Sequence, residues 1–314
     1  MVSTPRIWTG FGCATRDPEL GIPLTTVPPR RPGHPYFAGA PLLIAHRGGA
    51  GLAPENTMAA FRSAVDDWGA DMLELDVHAS RDGKVVVIHD PTVDRTTDGI
   101  GRVEELPWSE LSRLDAGYHF KDTAGRHPFR GAGVRLPLLD ELLETFPFMR
   151  LNVEAKVPGV GALLFEAIRR HGAEHRVLIA AEDEVARADI PHYSGPWGAS
   201  RVQLRRFFLA QRLGPFGRIY TPRADALQIP DVWEGRQIAS PGFVREAHRR
   251  NLPVHVWTVD EPADMRRLLD WGVDGIQSDR PDLLAQVLHE MAGRPLPRGF
   301  GPSSNDAAQE PGSD

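Results

Sequence analysis

Short apolar runs alternate with segments of helical spacing between residues 42 and 292. Eight runs have the length and the β-branched, apolar character of buried strands. They are residues 42–45, 72–77, 151–155, 177–180, 197–203, 226–229, 254–259 and 275–278. Six further segments predict helices that begin near Pro, Thr, Ser or Asp. They are residues 57–68, 138–145, 161–171, 241–249, 262–269 and 281–291. Eight strands that alternate with helices predict an α/β fold, a parallel sheet closed into a (β/α)8 TIM barrel.

One segment interrupts this alternation after the second strand. Asp82-Gly83 precedes the β-branched run 85–88, and Asp-Gly in that position is a hairpin signal. The residues that follow are irregular and rich in Thr, Asp, Gly and Pro. We therefore expect residues 78–136 to form a small insertion over the carboxyl ends of the strands, where the active sites of such barrels lie.

The chain outside the barrel, which we place at residues 41–292, has a different composition. Residues 1–40 contain seven prolines and predict an arm, and residues 293–314 are rich in Gly, Pro, Ser and acids, which predicts a disordered tail. No apolar run approaches the ~18 residues that a transmembrane helix needs. The start lacks a signal-peptide pattern, and a single cysteine, Cys13, is compatible with a reducing compartment, so we expect a cytoplasmic protein.

The charge pattern argues against nucleic acid as a partner. The formal net charge is −6, and no dense Lys/Arg run with interleaved aromatic residues occurs. Only Lys84, Lys121 and Lys156 are lysines, so a lysine inside a polar cluster is notable.

Carboxylates recur on one face of two predicted strands. Because residues i and i+2 of a strand point to the same side, Glu74 and Asp76 point together, and Asn152, Glu154 and Lys156 repeat the arrangement. Two carboxylates about 5 Å apart repel by roughly 3 kcal/mol at an effective dielectric constant of about 20. Three of them need a proton, a basic partner or a metal, and oxygen ligands favour a hard cation such as Mg²⁺ or Ca²⁺. The alternative is a solvated strand edge with local ion pairs.

Two histidines end strand-like runs near these acids. His46 follows the run 42–45, and His89 follows the run 85–88. Histidine is the usual proton donor or acceptor near neutral pH, and Arg47 can bind a phosphate or carboxylate through two hydrogen bonds. A single histidine at a strand end is more often structural.

The glycine-rich stretch 49–54 has some features of a dinucleotide site, since it follows a strand and precedes a helix. The third glycine of that motif is replaced by Pro54, and His46-Arg47 has no part in it. A nicotinamide oxidoreductase is therefore the weakest interpretation.

Seven short motifs together resemble the bacterial glycerophosphodiester phosphodiesterases. They are His46-Arg47-Gly48, Pro54-Glu55-Asn56-Thr57, Glu74-Leu75-Asp76-Val77, Asp82-Gly83, His89-Asp90, Glu154-Ala155-Lys156 and Val256-Trp257-Thr258-Val259. The resemblance implies a TIM barrel with an insertion after strand two. It also implies metal-dependent hydrolysis of glycerophosphodiesters to an alcohol and sn-glycerol 3-phosphate, a reaction of lipid and glycerol metabolism that uses one divalent cation, Mg²⁺ or Ca²⁺.

The same resemblance implies roles for eight residues. Glu74, Asp76 and Glu154 would be metal ligands, His46 and His89 the acid/base pair, Arg47 and Lys156 phosphate contacts, and Trp257 part of the substrate pocket. Which histidine is the base stays open, with a preference for His46. Alternatives are ordinary packing for Trp257, a lysophospholipase D-like activity on lysophospholipids, and an inactive barrel that serves as a binding module.

Overall fold

Seven parallel strands and the helices between them make up most of the fold. The computed structural model describes residues 34–212 and 220–301. Its strands are β1 (Leu42–Ala45), β2 (Met72–Ala79), β3 (Val85–Val87), β4 (Arg150–Ala155), β5 (Val177–Ala180), β6 (Leu227–Pro230), β7 (Val232–Trp233), β8 (Arg236–Gln237), β9 (Val254–Trp257) and β10 (Gly275–Ser278). Its helices are α1 (Met58–Asp66), α2 (Trp108–Leu111), α3 (Leu139–Thr145), α4 (Val160–Arg170), α5 (Arg201–Ala210), α6 (Pro241–Arg249), α7 (Pro262–Asp270) and α8 (Pro281–Ala292).

The parallel sheet curls in the order β5-β4-β2-β1-β10-β9-β6. Its longest ladder joins β2 to β4 and places Glu74 beside Asn152 and Asp76 beside Glu154. Parallel strands end at the same edge of a sheet, so the ladder brings the polar ends of β2 and β4 together. The predicted α/β barrel and its insertion after the second strand are confirmed. Seven predicted strands and all six predicted helices are present, with ends that move by at most two residues.

The predicted strand over residues 197–203 is wrong. Trp197 and Gly198 form single bridges to Ile179 of β5 and to Ala226, and the Ala199 backbone donates to Ala226 at 3.0 Å, so this short segment links β5 to the residue before β6. Ser200 then begins helix α5, because its side chain accepts a hydrogen bond from the Gln203 backbone and the Gln203 side chain returns one from Ser200. This capping box starts a helix where the apolar run alone predicts a strand.

The core lies on both sides of the sheet. Leu73, Leu75 and Val77 of β2 are buried against the surrounding helices, whereas Met72 joins Tyr36 in a separate cluster inside the barrel. The Tyr36 hydroxyl donates a hydrogen bond to the Leu151 carbonyl at 2.9 Å. The last residues of the predicted arm therefore pack against the barrel interior, and residues 1–33 lie outside the described chain.

The insertion has a core of its own. Strand β3 pairs antiparallel with β2, with Val77 opposite Val87, as the Asp82-Gly83 hairpin signal predicts. A second apolar cluster fills the insertion beneath this hairpin; its buried members are Val86, Ile88, Val93, Val103, Leu111, Ala116 and Leu136. The Ile88 backbone donates to the Asp76 carbonyl at 3.0 Å, so the chain leaves β3 beside the end of β2.

The chain after α8 continues along the barrel surface. Gly299 donates a backbone hydrogen bond to Asp67 at 2.8 Å, and Phe300 packs edge-on against Trp68. Residues 302–314 of the predicted tail lie outside the described chain. Among the described residues, no helix is long and apolar enough to cross a membrane.

His255 of β9 is the most deeply buried ionisable group of the barrel interior. Its exposure is 0 %, its ring packs against Phe37, and neither ring nitrogen forms a hydrogen bond with another described residue. Burial lowers the pKa of His255 to about 4. The folded protein therefore holds this imidazole neutral at pH values where the unfolded chain protonates it.

We expect His255 to make the protein less stable in acid. Its folded pKa lies below its unfolded value of 6.5, so the unfolded chain binds more protons and stability falls as pH drops from 6.5 towards 4. The loss amounts to about 3 kcal/mol over that range. Urea-unfolding free energies measured from pH 7.5 to pH 4.5 should fall less steeply for His255→Gln than for the wild type. The exposed His175→Gln variant should keep the wild-type slope, and an unchanged slope in His255→Gln would contradict this account.

Candidate active site

Three carboxylates meet at the carboxyl ends of β2 and β4; we call Glu74, Asp76 and Glu154 the acid cluster. Each offers an oxygen atom, and these atoms all lie within 4.8 Å of one another. Glu74 and Asp76 are buried, whereas Glu154 is partly exposed. The period-two geometry therefore brings together the three carboxylates that the sequence analysis selects.

Two cationic side chains flank the acid cluster. The Lys156 ammonium lies 3.3 Å from both Asp76 Oδ1 and Glu154 Oε2. The Arg47 Nε lies 3.4 Å from Asp76 Oδ2, and Arg47 Nη1 donates to Glu55 Oε1 at 2.9 Å. Asp76 is thus held between two cations.

The turn after β1 presents Arg47 to the acid cluster. Arg47 has φ 51°, and its backbone N–H donates to Glu74 Oε2 at 3.0 Å. Gly48 follows with φ 83°, and a Cβ there would approach Ala60 and Phe61 to within 2.9 Å. Only glycine fits this backbone conformation against α1, which explains why the motif reads His-Arg-Gly.

The protein's own cations do not balance the acid cluster. Burial, reinforced by the Asp76 carboxylate, raises the pKa of Glu74 to about 7. Burial also raises the pKa of Glu154, whereas Lys156 and Arg47 overcome the burial of Asp76 and lower its pKa. Only one of the three carboxylates is stabilised as an anion. A set of three oxygen donors with uncompensated negative charge fits a hard divalent cation.

His46 lies against one side of the acid cluster. Its Nδ1 is 2.7 Å from Asp279 Oδ1, and its Nε2 is 3.9 Å from Glu74 Oε2. Because a carboxylate only accepts, Nδ1 carries the proton of this hydrogen bond and Nε2 faces the cluster. Burial opposes protonation, but Glu74 and Asp279 together raise the pKa of His46.

His89 approaches from the insertion, two residues after the end of β3. Its Nδ1 is 2.7 Å from Asp90 Oδ1, the same partnership that His46 makes with Asp279. Its backbone carbonyl lies 3.0 Å from the Nε2 of His78. Burial lowers the pKa of His89, although Asp76 and Asp90 oppose the shift.

The loop before α1 supplies a second layer of contacts. The Asn56 side chain donates to Asp76 Oδ2 at 3.0 Å and accepts from the Asp76 backbone at 3.3 Å. Glu55 accepts from Arg47 and from Arg95 of the insertion. The Pro54–Thr57 motif therefore orients the acid cluster besides beginning a helix.

Trp257 is the last residue of β9 and is partly exposed. It ends its strand at the same edge of the sheet as the acid cluster. No hydrogen bond or ion pair of the described residues connects it to that cluster. The structure thus places Trp257 at the barrel mouth but does not bring it into the polar network that joins the other seven candidates.

Sequence reasoning selects the residues of the cluster but misses their partners. Asp90 directly follows His89 within the His89-Asp90 motif, whereas Asp279 lies 233 residues from its partner His46 and has no local signal. Glu55 reads as part of a helix-start loop. Arg95 follows Asp90 by five residues, but its second partner, Glu55, lies 40 residues away along the chain, so the sequence pattern does not indicate that Arg95 joins the two carboxylates.

Comparison with known proteins identifies the family. The model of the glycerophosphoryl diester phosphodiesterase family matches residues 46–189 and 216–283. A glycerophosphodiester phosphodiesterase of Caldanaerobacter subterraneus subsp. tengcongensis is 33 % identical over 263 residues, which are 79 % of this chain and 98 % of that protein. The crystal structure of glycerophosphodiester phosphodiesterase from Agrobacterium tumefaciens is 30 % identical with a TM-score of 0.63, covering 77 % of this chain and 98 % of that one.

The same fold occurs in an Oleispira antarctica phosphodiesterase whose structure was solved in complex with the product sn-glycerol-3-phosphate. Its identity is 24 % and its TM-score 0.62, over 81 % of this chain and 98 % of that one. The chain belongs to the glycerophosphoryl diester phosphodiesterase family. It is a phosphoric diester hydrolase that converts glycerophosphodiesters to an alcohol and sn-glycerol 3-phosphate, and its acid cluster can hold the divalent metal on which the family generally depends.

We expect removal of the Glu74 charge to stabilise the protein in EDTA. The folded pKa of about 7 lies above the ordinary glutamate pKa of 4.5 in the unfolded chain, so stability falls as pH rises between these values. The loss amounts to about 3 kcal/mol. In urea unfolding, Glu74→Gln should therefore exceed the wild type in stability at pH 8 and match it near pH 4.5. The exposed Glu144→Gln variant on α3 serves as the control. A Glu74→Gln protein that is less stable than the wild type at pH 8 would show that its carboxylate is already compensated.

Proposed function

We propose that Glu74, Asp76 and Glu154 together bind one Mg²⁺ or Ca²⁺ ion during the hydrolysis of glycerophosphodiesters. The observation that carries this assignment is the geometry of the acid cluster, whose three oxygen atoms lie within 4.8 Å. The raised pKa of Glu74 supports it, since Lys156 and Arg47 leave that carboxylate uncompensated. Oxygen-only ligands favour these two ions over zinc.

The cationic side chains suit a phosphodiester. When bound, the divalent ion supplies positive charge that favours an anionic substrate beside the acid cluster. Arg47 and Lys156 both lie within 3.4 Å of Asp76 and would contact the phosphate oxygens, Arg47 through its fork of donors. Trp257, at the end of β9, would line the pocket for the remainder of the substrate.

The two histidines would carry the protons. Hydrolysis adds water across the bond between phosphorus and the alcohol oxygen, so one group removes a proton from the nucleophile and another protonates the departing alkoxide. His46 and His89 each have Nδ1 on a carboxylate, which leaves Nε2 for proton exchange. His46 lies beside Glu74, and His89 acts electrostatically on Asp76, so both border the acid cluster.

The carboxylate partners of the two histidines differ, and the difference favours His46 as the acid. Asp90 also pairs with the Arg95 guanidinium, which compensates its charge. Among the described residues, Asp279 forms an ion pair with His46 alone. A carboxylate without another cation holds a proton on its histidine more strongly. We therefore assign His46 as general acid and His89 as general base, the reverse of the preference that the sequence suggests.

We expect the metal to be required, and Glu154 to contribute to its affinity. Glu154→Gln removes one charge with little change of shape, so isothermal titration with Mg²⁺ and with Ca²⁺ should show affinity reduced by at least about tenfold, which corresponds to about 1.4 kcal/mol. Thermal unfolding should remain cooperative. The exposed Glu166→Gln variant on α4 should bind as the wild type does. Full release of glycerol 3-phosphate after dialysis against EDTA would refute the metal requirement.

We expect His46→Ala and His89→Ala to lower kcat by about 10²- to 10⁴-fold, the range typical of a positioned proton donor or acceptor. KM should change little, because Arg47 and Lys156 remain. With a p-nitrophenyl diester of glycerol 3-phosphate, whose leaving group needs no proton, His46→Ala should recover activity and His89→Ala should not.

His248 provides a matched control for these variants, because its Nε2 lies 2.7 Å from Asp274, away from the acid cluster. His248→Ala should keep the wild-type kcat with both substrates. Recovery of His89→Ala instead of His46→Ala would reverse the assignment. Wild-type kcat in the double variant of His46 and His89 would remove both from the mechanism.

A further inference from the structure

Arg95 of the insertion binds two carboxylates at once. Its Nε donates to Asp90 Oδ2 at 2.6 Å and its Nη2 to Asp90 Oδ1 at 3.1 Å. Nη1 and Nη2 also donate to Glu55 Oε2 and Oε1, both at 2.7 Å. In these four charge-assisted hydrogen bonds, the planar guanidinium binds one carboxylate along each of two edges. We call Arg95, Asp90 and Glu55 the arginine clamp.

Each carboxylate of the clamp holds a residue of the candidate active site. Asp90 Oδ1 accepts from His89 Nδ1 at 2.7 Å. Glu55 Oε1 accepts from Arg47 Nη1 at 2.9 Å. One carboxylate therefore lies between Arg95 and each of two site residues: Asp90 between Arg95 and His89, and Glu55 between Arg95 and Arg47. The two site residues come from different parts of the fold.

The loop that carries Arg95 is itself well anchored. Val93 is fully buried in the apolar cluster of the insertion. The Val93 backbone donates to Gly101 at 3.0 Å, and Thr92 forms a bridge with Arg102. The Thr97 hydroxyl also donates to the Val93 carbonyl at 2.8 Å. Because this loop is fixed within the insertion, Arg95 can hold the carboxylates that it binds at a fixed position relative to the insertion.

We propose that Arg95 is a positioning residue for the hydrolysis, which sets the orientation of His89 through Asp90 and of Arg47 through Glu55. This inference rests on the proposed roles of His89 and Arg47. It gives the insertion a part in the reaction beyond supplying His89, because the same insertion also fixes the phosphate-binding arginine of the barrel. Arg95 contacts neither of the two residues directly.

Arginine is required here, and lysine is not equivalent. A guanidinium can donate to both oxygens of Asp90 and both oxygens of Glu55 in one plane. An ammonium is a single point charge on a flexible stem and cannot bind two carboxylates in a bidentate manner together. Arg95→Lys therefore keeps the charge but loses the orientation, which separates positioning from simple charge balance.

The test compares Arg95→Ala, Arg95→Lys and Arg102→Ala, with glycerophosphocholine as the substrate and glycerol 3-phosphate as the measured product. Arg102 is a matched control in the same insertion: its side chain is 48 % exposed against 47 % for Arg95, and it pairs with Glu104 at 2.8 Å. Arg95→Ala and Arg95→Lys should lower kcat by about 10- to 100-fold, since a 1 Å misplacement can cost 10²-fold. Arg102→Ala should keep the wild-type kcat.

Chemical rescue distinguishes positioning from a general loss of fold. Because Arg95 is half exposed, guanidinium or methylguanidinium at millimolar concentration can enter the space left in Arg95→Ala and should restore part of the lost kcat. The same additive should leave Arg95→Lys and Arg102→Ala unchanged. Thermal unfolding of each variant verifies that the proteins compared are folded. If Arg95→Ala does not fold, the comparison of Arg95→Lys with Arg102→Ala still tests the proposal.

Single substitutions of the two carboxylates of the arginine clamp should have different effects on kcat and KM. Asp90→Asn should lower kcat with little change of KM, because it loosens His89. Glu55→Gln should chiefly raise KM, because it loosens Arg47 against the phosphate. Wild-type kcat in Arg95→Ala and Arg95→Lys would overturn the proposal. If His89→Ala is impaired in the same assay, only the clamp fails; if His89→Ala is also fully active, the proposed function of His89 fails instead.

Discussion

Three carboxylates held side by side at the end of a parallel ladder are the constraint on which this structure depends. At about 5 Å each pair repels by roughly 3 kcal/mol at an effective dielectric constant of about 20. Lys156, Arg47 and the Asn56 amide offset part of this repulsion through their interactions with Asp76. They still leave Glu74 with a pKa of about 7. A divalent cation bound at the acid cluster would relieve this repulsion and so stabilise the folded protein.

The arrangement around this cluster places the two histidines in related but unequal surroundings. Both have a carboxylate on Nδ1, yet the partner of His89 is shared with Arg95 whereas the partner of His46 is not. Two identical side chains thus acquire opposite pKa shifts, because burial lowers the pKa of His89 whereas Glu74 and Asp279 raise the pKa of His46. The barrel supplies one histidine and the insertion supplies the other, so the proposed acid/base pair requires these two parts to fit together.

Periodicity and motif spacing were sufficient to predict the barrel, the hairpin and the residues of the acid cluster, because each rests on local patterns: two-residue alternation in β2 and β4, and Asp82-Gly83 before β3. The strand expected over residues 197–203 failed because the Ser200 capping box outweighed an apolar run. Asp279 could not be assigned, since its partner His46 lies 233 residues away and meets it only through the pairing of β1 with β10, and the contact of Arg95 with Glu55 spans 40 residues. Local patterns in the sequence predict elements and motifs, whereas contacts between residues far apart in the sequence are known only from the folded structure.

The separate apolar cluster of the insertion has a consequence for local unfolding. Val86, Ile88 and Val93 pack mainly among residues of the insertion and not into the barrel core. A segment with its own small core can open cooperatively while the rest of the molecule stays folded. Such an opening would carry His89 away from the acid cluster without disturbing Glu74 or Glu154. A molecule opened in this way would keep Glu74 and Glu154 in place on β2 and β4 and would lack the His89 side chain that the proposed hydrolysis uses.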